Sequence, residues 1–278
     1  MSTRKLKIQI YSDLHLELKK SIPNIVPRAR YLFLTGDISR FNHKSFGEFL
    51  SYCNNNWEKT YYVFGNHEYW NTKSYIQQIK KQVREYLQDN QLTNIHILDN
   101  EFVSLNEEII VLGSTFWTQS PFVTEYEAKI YINDYNMIRF KKNITDVIPY
   151  DLTPVDVNQM YFEDYSKIYE ILNINELTKD KKVIIMTHFP PQQSGTSHYK
   201  YRLQCKMIKD YFSHSDSTIK DLDKYSNILC WVSGHTHYSY DFISREGVRL
   251  ISNQMGYIYD VMSRESEFKD NGLFEIEY

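Results

Sequence analysis

Short apolar runs alternate with longer amphipathic stretches through the first third of the chain. Runs rich in β-branched or aromatic residues at 7–11, 31–34 and 61–64 predict three strands. Apolar residues recur at helical spacing over 44–57, between the second and third of these strands, and over 74–87, after the third. This alternation predicts βαβ units and a sheet covered by helices.

A different kind of segment separates the remaining strand signals. From about 124 to 180 the chain is polar, tyrosine-rich and mostly helical in rhythm, with a helix predicted to begin near Val155. A further helical stretch lies around 201–212. The other predicted strands are 95–98, 102–105, 109–112, 183–186, 228–232, 248–251 and 273–276. We expect one α/β domain over 1–278 with a mostly helical insertion or lid at about 124–180.

Composition narrows the class of protein. The 278 residues are 42% hydrophobic, which is enough apolar side chain for a large buried core. A formal net charge of −3 provides no general basic field, so nucleic acid is not expected as a partner. No window approaches the roughly 18 apolar residues of a membrane span, so no membrane partner is expected. Cys53, Cys205 and Cys230 form no Cys-x-x-Cys pair, and we expect reduced cysteines in a soluble cytoplasmic protein.

Metal-seeking side chains gather where the predicted strands end. The strings are Asp13-Leu14-His15, Gly36-Asp37, Gly65-Asn66-His67-Glu68, the single His188 and Gly234-His235-Thr236-His237. An Asp-x-His arises by chance in about every second chain of this composition, but a Gly-His-x-His in only about one in a hundred. The set carries weight because every member closes a strand, and strand ends are where such sites are built.

The residue types in these strings suit a pair of transition metals. Two divalent cations about 3.5–4 Å apart repel each other, and a carboxylate that faces both screens the repulsion. Imidazole suits zinc, iron or manganese better than magnesium or calcium. Asp13 and His15 are two residues apart, so both side chains point to one side if extended strand geometry continues there.

Taken one at a time, these residues allow other interpretations. Asp37 could cap a turn, and Asn66 could be an ordinary turn residue. His15 or His188 alone would suit a core or surface position. Glu68 could orient His67 or could face solvent. The histidines outside the strings are assigned to structure or solvent: His43, His96, His198 and His214.

As an ordered set, the five strings resemble the calcineurin-like metallophosphoesterases, over the span from Asp13 to His237. The resemblance implies a four-layer α/β/β/α sandwich of two mixed sheets with the metals at the strand ends. The segment Gly36-Asp37-Ile38-Ser39-Arg40 lacks the Asp-Arg-Gly of the serine/threonine protein phosphatases, and Phe64 stands where they carry arginine. The chain is therefore more similar to the small, generic phosphoesterases.

The resemblance also implies roles for individual residues. Asp13, His15 and His237 would bind one metal, Asn66, His188 and His235 the other, and Asp37 would bridge them. The two ions would be manganese, or iron with zinc, and a hydroxide between them would attack phosphorus in line. His67 would be catalytic, beside the leaving group. Asn133-Asp134-Tyr135 with Arg139 resembles a segment of some bacterial relatives, and Arg139 would contact a phosphate or form a surface ion pair.

Three functions stay open at this point. The first is hydrolysis of a small phosphoester, either a diester or a monoester. The second is a catalytically silent binding scaffold of the same fold, although such proteins usually lose metal ligands. The third is a nuclease, which the charge balance disfavours. The oligomeric state and the physiological substrate do not follow from the sequence.

Overall fold

Two β-sheets form the centre of the molecule. The computed structural model describes residues 4–21, 23–142, 148–174, 180–220, 225–262 and 266–278. The first sheet contains β1 (Lys5–Tyr11), β2 (Tyr31–Thr35), β3 (Lys59–Val63), β4 (Ile95–Ile97) and β13 (Leu273–Glu277). Its order is β13-β1-β2-β3-β4, with β13 antiparallel to β1 and the other pairs parallel.

The second sheet is also mixed. It contains β5 (Glu101–Ser104), β6 (Ile109–Ser114), β9 (Lys182–Thr187), β10 (Ile228–Val232), β11 (Tyr240–Ile243) and β12 (Arg249–Ser252). The order is β11-β12-β10-β9-β6-β5, in which the four inner strands are parallel and both edge strands antiparallel. A small hairpin, β7 (Arg139–Phe140) with β8 (Tyr150–Asp151), stands apart from both sheets.

Side-chain caps mark the start of some of the helices. In chain order the helices are α1 (Lys44–Asn56), α2 (Ile76–Asp89), α3 (Glu125–Tyr131), α4 (Asp134–Met137), α5 (Pro154–Leu172), α6 (Lys206–Phe212) and α7 (Ile258–Met262). The Nδ1 atom of His43 accepts a hydrogen bond from Ser45 N at the start of α1. Thr153 and Asp156 form a reciprocal capping box at the start of α5, where proline at the first helical position costs no hydrogen bond.

Three buried clusters give the molecule four layers. One lies between the sheets and includes Ile8 and Phe33 from the first sheet and Ile184 from the second. Another packs the first sheet against α1 and α2, and a third packs the second sheet against α5. This confirms the four-layer α/β/β/α sandwich of two mixed sheets. No helix in the described part of the chain is long and apolar enough to cross a membrane.

The 124–180 segment is mostly helical over its described residues, but its parts lie in different places. Ile168 and Leu172 of α5 belong to the buried cluster on the outer face of the second sheet. Ala128 and Ile132, from α3 and its end, belong to the cluster on the first sheet. Burial in the outer layer makes α5 part of the sandwich, so the idea of a lid stays a prediction for α3 and α4 alone.

The predicted elements match the observed ones to within a few residues, with some exceptions. The pattern did not predict β11, α7 or the hairpin of β7 and β8. The helical stretch predicted around 201–212 is divided into a 3₁₀ turn (Tyr199–Leu203) and α6. Short or edge strands carry weak periodicity because few of their side chains are buried.

Candidate metal centre

The metal-seeking side chains converge where strands of the two sheets end side by side. Asp13, Asp37 and Asn66 follow β1, β2 and β3, whereas His188 and His235 follow β9 and β10. The ligand atoms of Asp13, His15 and His237 lie within 4.8 Å of one another, as do those of Asp37, His188 and His235. The same limit holds for His15, Asp37 and His67. The carboxyl ends of the parallel strands meet at one edge within each sheet, and these edges of the two packed sheets lie together.

Electron-pair donors face one another in the group around His188. Its Nδ1 lies 2.8 Å from the carbonyl oxygen of Thr35, so Nδ1 carries the hydrogen and Nε2 presents a lone pair. The Nε2 atom is 3.0 Å from Asn66 Oδ1, 3.2 Å from His235 Nδ1 and 3.5 Å from Asp37 Oδ1. Burial lowers the pKa of His188 to about 3, so near neutrality this ring is uncharged and its Nε2 carries no proton. A cation bound among these nitrogen and oxygen atoms would accept their electron pairs.

The group around His237 has the same character. Its Nδ1 lies 2.8 Å from the Asp260 carboxylate, which accepts the Nδ1 hydrogen and leaves Nε2 with a lone pair. That Nε2 is 2.9 Å from His15 Nε2 and 3.6 Å from Asp13 Oδ1. Burial lowers the pKa of His15 well below its ordinary value. Imidazole nitrogens with carboxylate oxygens are a donor set that fits manganese, iron or zinc.

Burial also shifts the pKa values of the carboxylates. It raises the pKa of Asp13 to about 6, and it raises that of Asp37 well above its ordinary value with the help of the nearby Glu68 and Asp13 carboxylates. Three carboxylates close together in a dry region are costly unless positive charge lies among them. The electrostatics of the protein alone therefore favour cation binding.

Left-handed backbone turns, and not extended strands, present the ligands. Asp13 and His15 have φ of 53° and 44°, so extended strand geometry does not continue to His15, and the expectation that depended on it does not apply. Asp37, His235 and His237 have φ of 53°, 76° and 54°. Left-handed backbone costs roughly 1–2 kcal/mol for each such residue. Hydrogen bonds hold the turns, including Asp13 N to Gly36 O and His15 N to Asp37 O, both 3.0 Å.

The glycines of the strings allow the ligand loops to approach closely. A Cβ atom on Gly65 would overlap Asp37 Oδ1, and one on Gly234 would overlap Ser12 Oγ and lie 2.8 Å from Asp13 Oδ2. A side chain at either position would displace a carboxylate of the cluster. The need for close contact explains why glycine stands there.

Glu68 plays a part that neither sequence interpretation gave it. The residue is fully buried, so it does not face solvent, and the hydrogen bonds of its carboxylate are made with groups other than His67. It accepts hydrogen bonds from Asp37 N (3.1 Å), Ile38 N (2.8 Å) and Gly65 N (2.8 Å). The hydroxyl of Tyr62 donates to it at 2.6 Å. Glu68 therefore joins the loops after β2 and β3, which carry Asp37 and Asn66.

His67 lies beside the cluster with one ring nitrogen toward it. Its Nε2 is 3.9 Å from Asp37 Oδ2 and 3.3 Å from the Tyr257 hydroxyl, while its Nδ1 is 3.4 Å from Glu17 Oε1. The ring stacks on Trp70 with 3.6 Å between centroids. Glu17 was not identified from the sequence as a partner of His67, although its position two residues after His15 placed it next to one of the strings. Burial lowers the pKa of His67.

Arg139 lies away from this centre. It pairs with Asp151 and donates to the Pro149 carbonyl oxygen at 2.7 Å, which corresponds to the ion-pair alternative. It does not border the cavity over the metal-seeking groups, so nothing in its position supports a phosphate contact.

Asp260, which holds His237, has no sequence signal because it lies in a short helix without a recognisable motif.

A cavity of about 850 Å³ opens over the cluster. Its walls come from the segment at 131–134 between α3 and α4, the loop at 193–197, α6 and Tyr257. Six tyrosine, tryptophan or phenylalanine rings of the described chain border it: Trp70, Tyr131, Tyr201, Tyr211, Phe212 and Tyr257. Among the described residues that border it, Lys209 is the single lysine or arginine. The size suits a small organic molecule.

Comparison with known proteins agrees with this geometry. The family model of calcineurin-like phosphoesterases matches residues 6–239. Uncharacterized protein L509 of Acanthamoeba polyphaga mimivirus is 30% identical over 274 residues, which cover 91% of this chain and 92% of that protein. The crystal structure of the phosphopantetheinyl hydrolase PptH from Mycobacterium tuberculosis has a similar fold, with TM-score 0.72 and 15% identity over 98% of this chain and 95% of that one. The chain belongs to the calcineurin-like phosphoesterase family of metal-dependent phosphoester hydrolases.

Proposed function

We propose that this protein hydrolyses a small phosphoester with two divalent transition metal ions, either manganese or iron with zinc. Asp13, His15 and His237 would hold one ion and Asn66, His188 and His235 the other, with Asp37 as a ligand that both would share. The observation that carries the proposal is the convergence of possible ligand atoms on the lone pair of His188 Nε2, with Asn66 Oδ1 at 3.0 Å and His235 Nδ1 at 3.2 Å. When bound, the ions would activate water for attack on phosphorus and neutralise the phosphoryl oxygens.

His67 is proposed as the catalytic residue that faces the leaving group. Glu17 holds its Nδ1 at 3.4 Å, so its Nε2 is directed toward the cavity. A carboxylate at Nδ1 stabilises the protonated ring, which can then donate a proton from Nε2. Stacking on Trp70 fixes the plane of the ring.

The cavity supports a small substrate over a polymer. A nucleic acid strand needs a cation for most of its phosphate contacts, whereas Lys209 alone borders the described cavity walls. Aromatic rings and neutral amides suit an organic group attached to a single phosphoryl group. Whether that ester is a diester or a monoester is decided by the substrate panel described below.

A cytoplasmic location completes the proposal. Cys53, Cys205 and Cys230 are all free, and Cys205 is exposed. An exposed free thiol is typical of a reducing compartment.

The test is a substrate panel with added Mn²⁺. The panel contains p-nitrophenyl phosphate, its bis ester, cyclic nucleotides, dinucleotides, phosphopeptides and a phosphopantetheinyl ester, the last because of the name of the similar M. tuberculosis protein. Asp37→Asn and His235→Ala are expected to reduce kcat/KM more than about 100-fold, because each removes a metal ligand.

His96→Ala is the matched control. His96 lies on β4, where its ring stacks on Tyr61 with 5.5 Å between centroids, away from the cluster. This variant is expected to keep wild-type turnover. Wild-type rates in Asp37→Asn and His235→Ala, or no turnover of any ester by protein that binds two Mn²⁺, would refute the proposed function.

A further inference from the structure

The carboxylate of Asp134 collects hydrogen bonds behind the metal-seeking groups. The residue is 1% exposed, and none of the groups of possible metal ligands includes it. Asn66 Nδ2 donates to it at 2.8 Å, Trp70 Nε1 at 2.6 Å and the Tyr211 hydroxyl at 2.6 Å. The donors come from the loop after β3 and from α6, and Asp134 itself begins α4. Three segments that border the cavity therefore meet at one side chain.

These contacts determine which end of the Asn66 amide faces the cluster. The indole N–H of Trp70 is only a donor, so Asp134 Oδ1 is an acceptor, and the Asn66 atom 2.8 Å from it is the amide nitrogen. The amide oxygen is thereby directed toward His188 Nε2, 3.0 Å away. If the amide turned over, two oxygens would face each other on one side and an NH₂ group would face the cation on the other.

We propose that Asp134 is a positioning residue of the metal centre: it holds the Asn66 nitrogen so that the Asn66 oxygen binds the second ion. It also connects that ligand to α4 and α6, which form two walls of the cavity. The inference rests on the proposed function, since it concerns the ion assigned to Asn66, His188 and His235.

The first test is Asp134→Ala, studied by Mn²⁺ titration and electron paramagnetic resonance. Wild-type protein is expected to bind two Mn²⁺ ions and to give the signal of a spin-coupled pair. In the variant the Asn66 amide is free to turn, and affinity for the second ion is expected to fall about 10- to 100-fold, as for other partners of metal ligands. When two equivalents of Mn²⁺ have been added, the variant should give the signal of isolated Mn²⁺, because its second site stays largely empty.

The matched control is Asp164→Ala. Asp164 is 6% exposed and also accepts from an asparagine amide, Asn100 Nδ2 at 2.6 Å, and from Trp117 N at 3.0 Å. Without the Asp164 carboxylate these N–H groups lose their acceptor, as in Asp134→Ala, but none of them belongs to a proposed metal ligand. This variant is expected to lose stability and to keep both Mn²⁺ ions and the coupled signal.

A rescue experiment separates positioning from a general structural role. Asn66→Asp offers an oxygen whichever way the side chain turns, so in the Asp134→Ala background it should restore affinity for the second ion. In the wild-type background the same change places two carboxylates 2.8 Å apart, and affinity should fall although a negative charge has been added. A merely structural Asp134 would not reverse the sign of the Asn66→Asp effect.

The outcomes distinguish this inference from the proposed function. Wild-type affinity in Asp134→Ala, or failure of Asn66→Asp to restore it, overturns the inference. If Asp134→Ala does not fold, Asn66→Asp alone decides: equal or tighter binding of the second ion than in the wild type overturns the inference. Wild-type protein that binds two Mn²⁺ and hydrolyses nothing refutes the function alone, whereas protein that binds no second Mn²⁺ overturns both.

Discussion

At the scale of single residues, buried carboxylates that are not proposed as ligands organise the metal centre. Asp260 holds His237 at 2.8 Å, and Glu17 lies 3.4 Å from His67. Glu68 binds backbone N–H groups of the ligand loops. Such partners fix the tautomer or direction of the group they hold, and their removal leaves a buried donor unpaired.

We predict that Glu68→Gln destabilises the protein and weakens metal binding together. The new NH₂ group would face backbone N–H groups of Asp37 or Ile38, which would lose an acceptor. The free energy of unfolding is expected to fall by about 2–3 kcal/mol, and Mn²⁺ affinity about tenfold. Urea denaturation of metal-free protein and Mn²⁺ titration measure the two effects.

The control for this change is Glu58→Gln, which alters an exposed ion pair with Arg30 (2.6 Å). It is expected to leave stability and metal affinity close to those of the wild type. Retention of both properties by Glu68→Gln would contradict the role given to Glu68.

At the scale of secondary structure, the helices of the 124–180 segment differ in how they are held. Both α3 and α5 begin with a capping box, at Thr124 with Glu127 and at Thr153 with Asp156. However, α5 is 19 residues long and buries Ile168 and Leu172 on the second sheet, whereas α3 is 7 residues long and buries Ala128. A helix that forms a layer of the core unfolds with the core, but a peripheral helix can open alone.

We therefore predict that Thr153→Ala lowers the global free energy of unfolding by about 1 kcal/mol, the usual cost of losing an N-terminal cap. Thr124→Ala, the same change at α3, should have a smaller effect on global unfolding and should instead speed local amide exchange in α3. Urea denaturation and hydrogen exchange measure these effects. Equal effects of both variants on global unfolding would mean that α3 is as much a part of the core as α5.

At the scale of the whole molecule, burial keeps several histidines neutral and so links stability to pH. His214 is such a residue away from the cluster: it is 3% exposed, and its Nε2 donates to the Phe116 carbonyl oxygen at 3.0 Å. Burial lowers its pKa to about 4, below the ordinary value of 6.5. Between those pH values the unfolded chain binds a proton that the folded protein does not, so stability falls as pH decreases.

The prediction compares wild-type protein with His214→Phe, both without metal. From pH 7 to pH 5 the wild type should lose about 2 kcal/mol more of its unfolding free energy than the variant, because only the wild type gains this proton on unfolding. Urea denaturation at both pH values measures the difference. Tyr161→Phe changes a ring 5.6 Å from His214 and should keep the wild-type dependence. If wild type and His214→Phe lost the same unfolding free energy from pH 7 to pH 5, the lowered pKa of His214 would be contradicted.

The local pattern of the sequence determined the elements and the candidate metal ligands. Strand and helix periods are properties of neighbouring residues, so the elements could be predicted. The four layers and the grouping of Asp37, Asn66 and His188 were implied by the resemblance of the ordered strings to the family. The tertiary structure alone decided what holds those ligands. Asn66 and Asp134 are 68 positions apart, and Glu68 turned toward backbone N–H groups that only folding brings near it. Pairing of buried polar groups depends on which segments meet in space, and no local period encodes that.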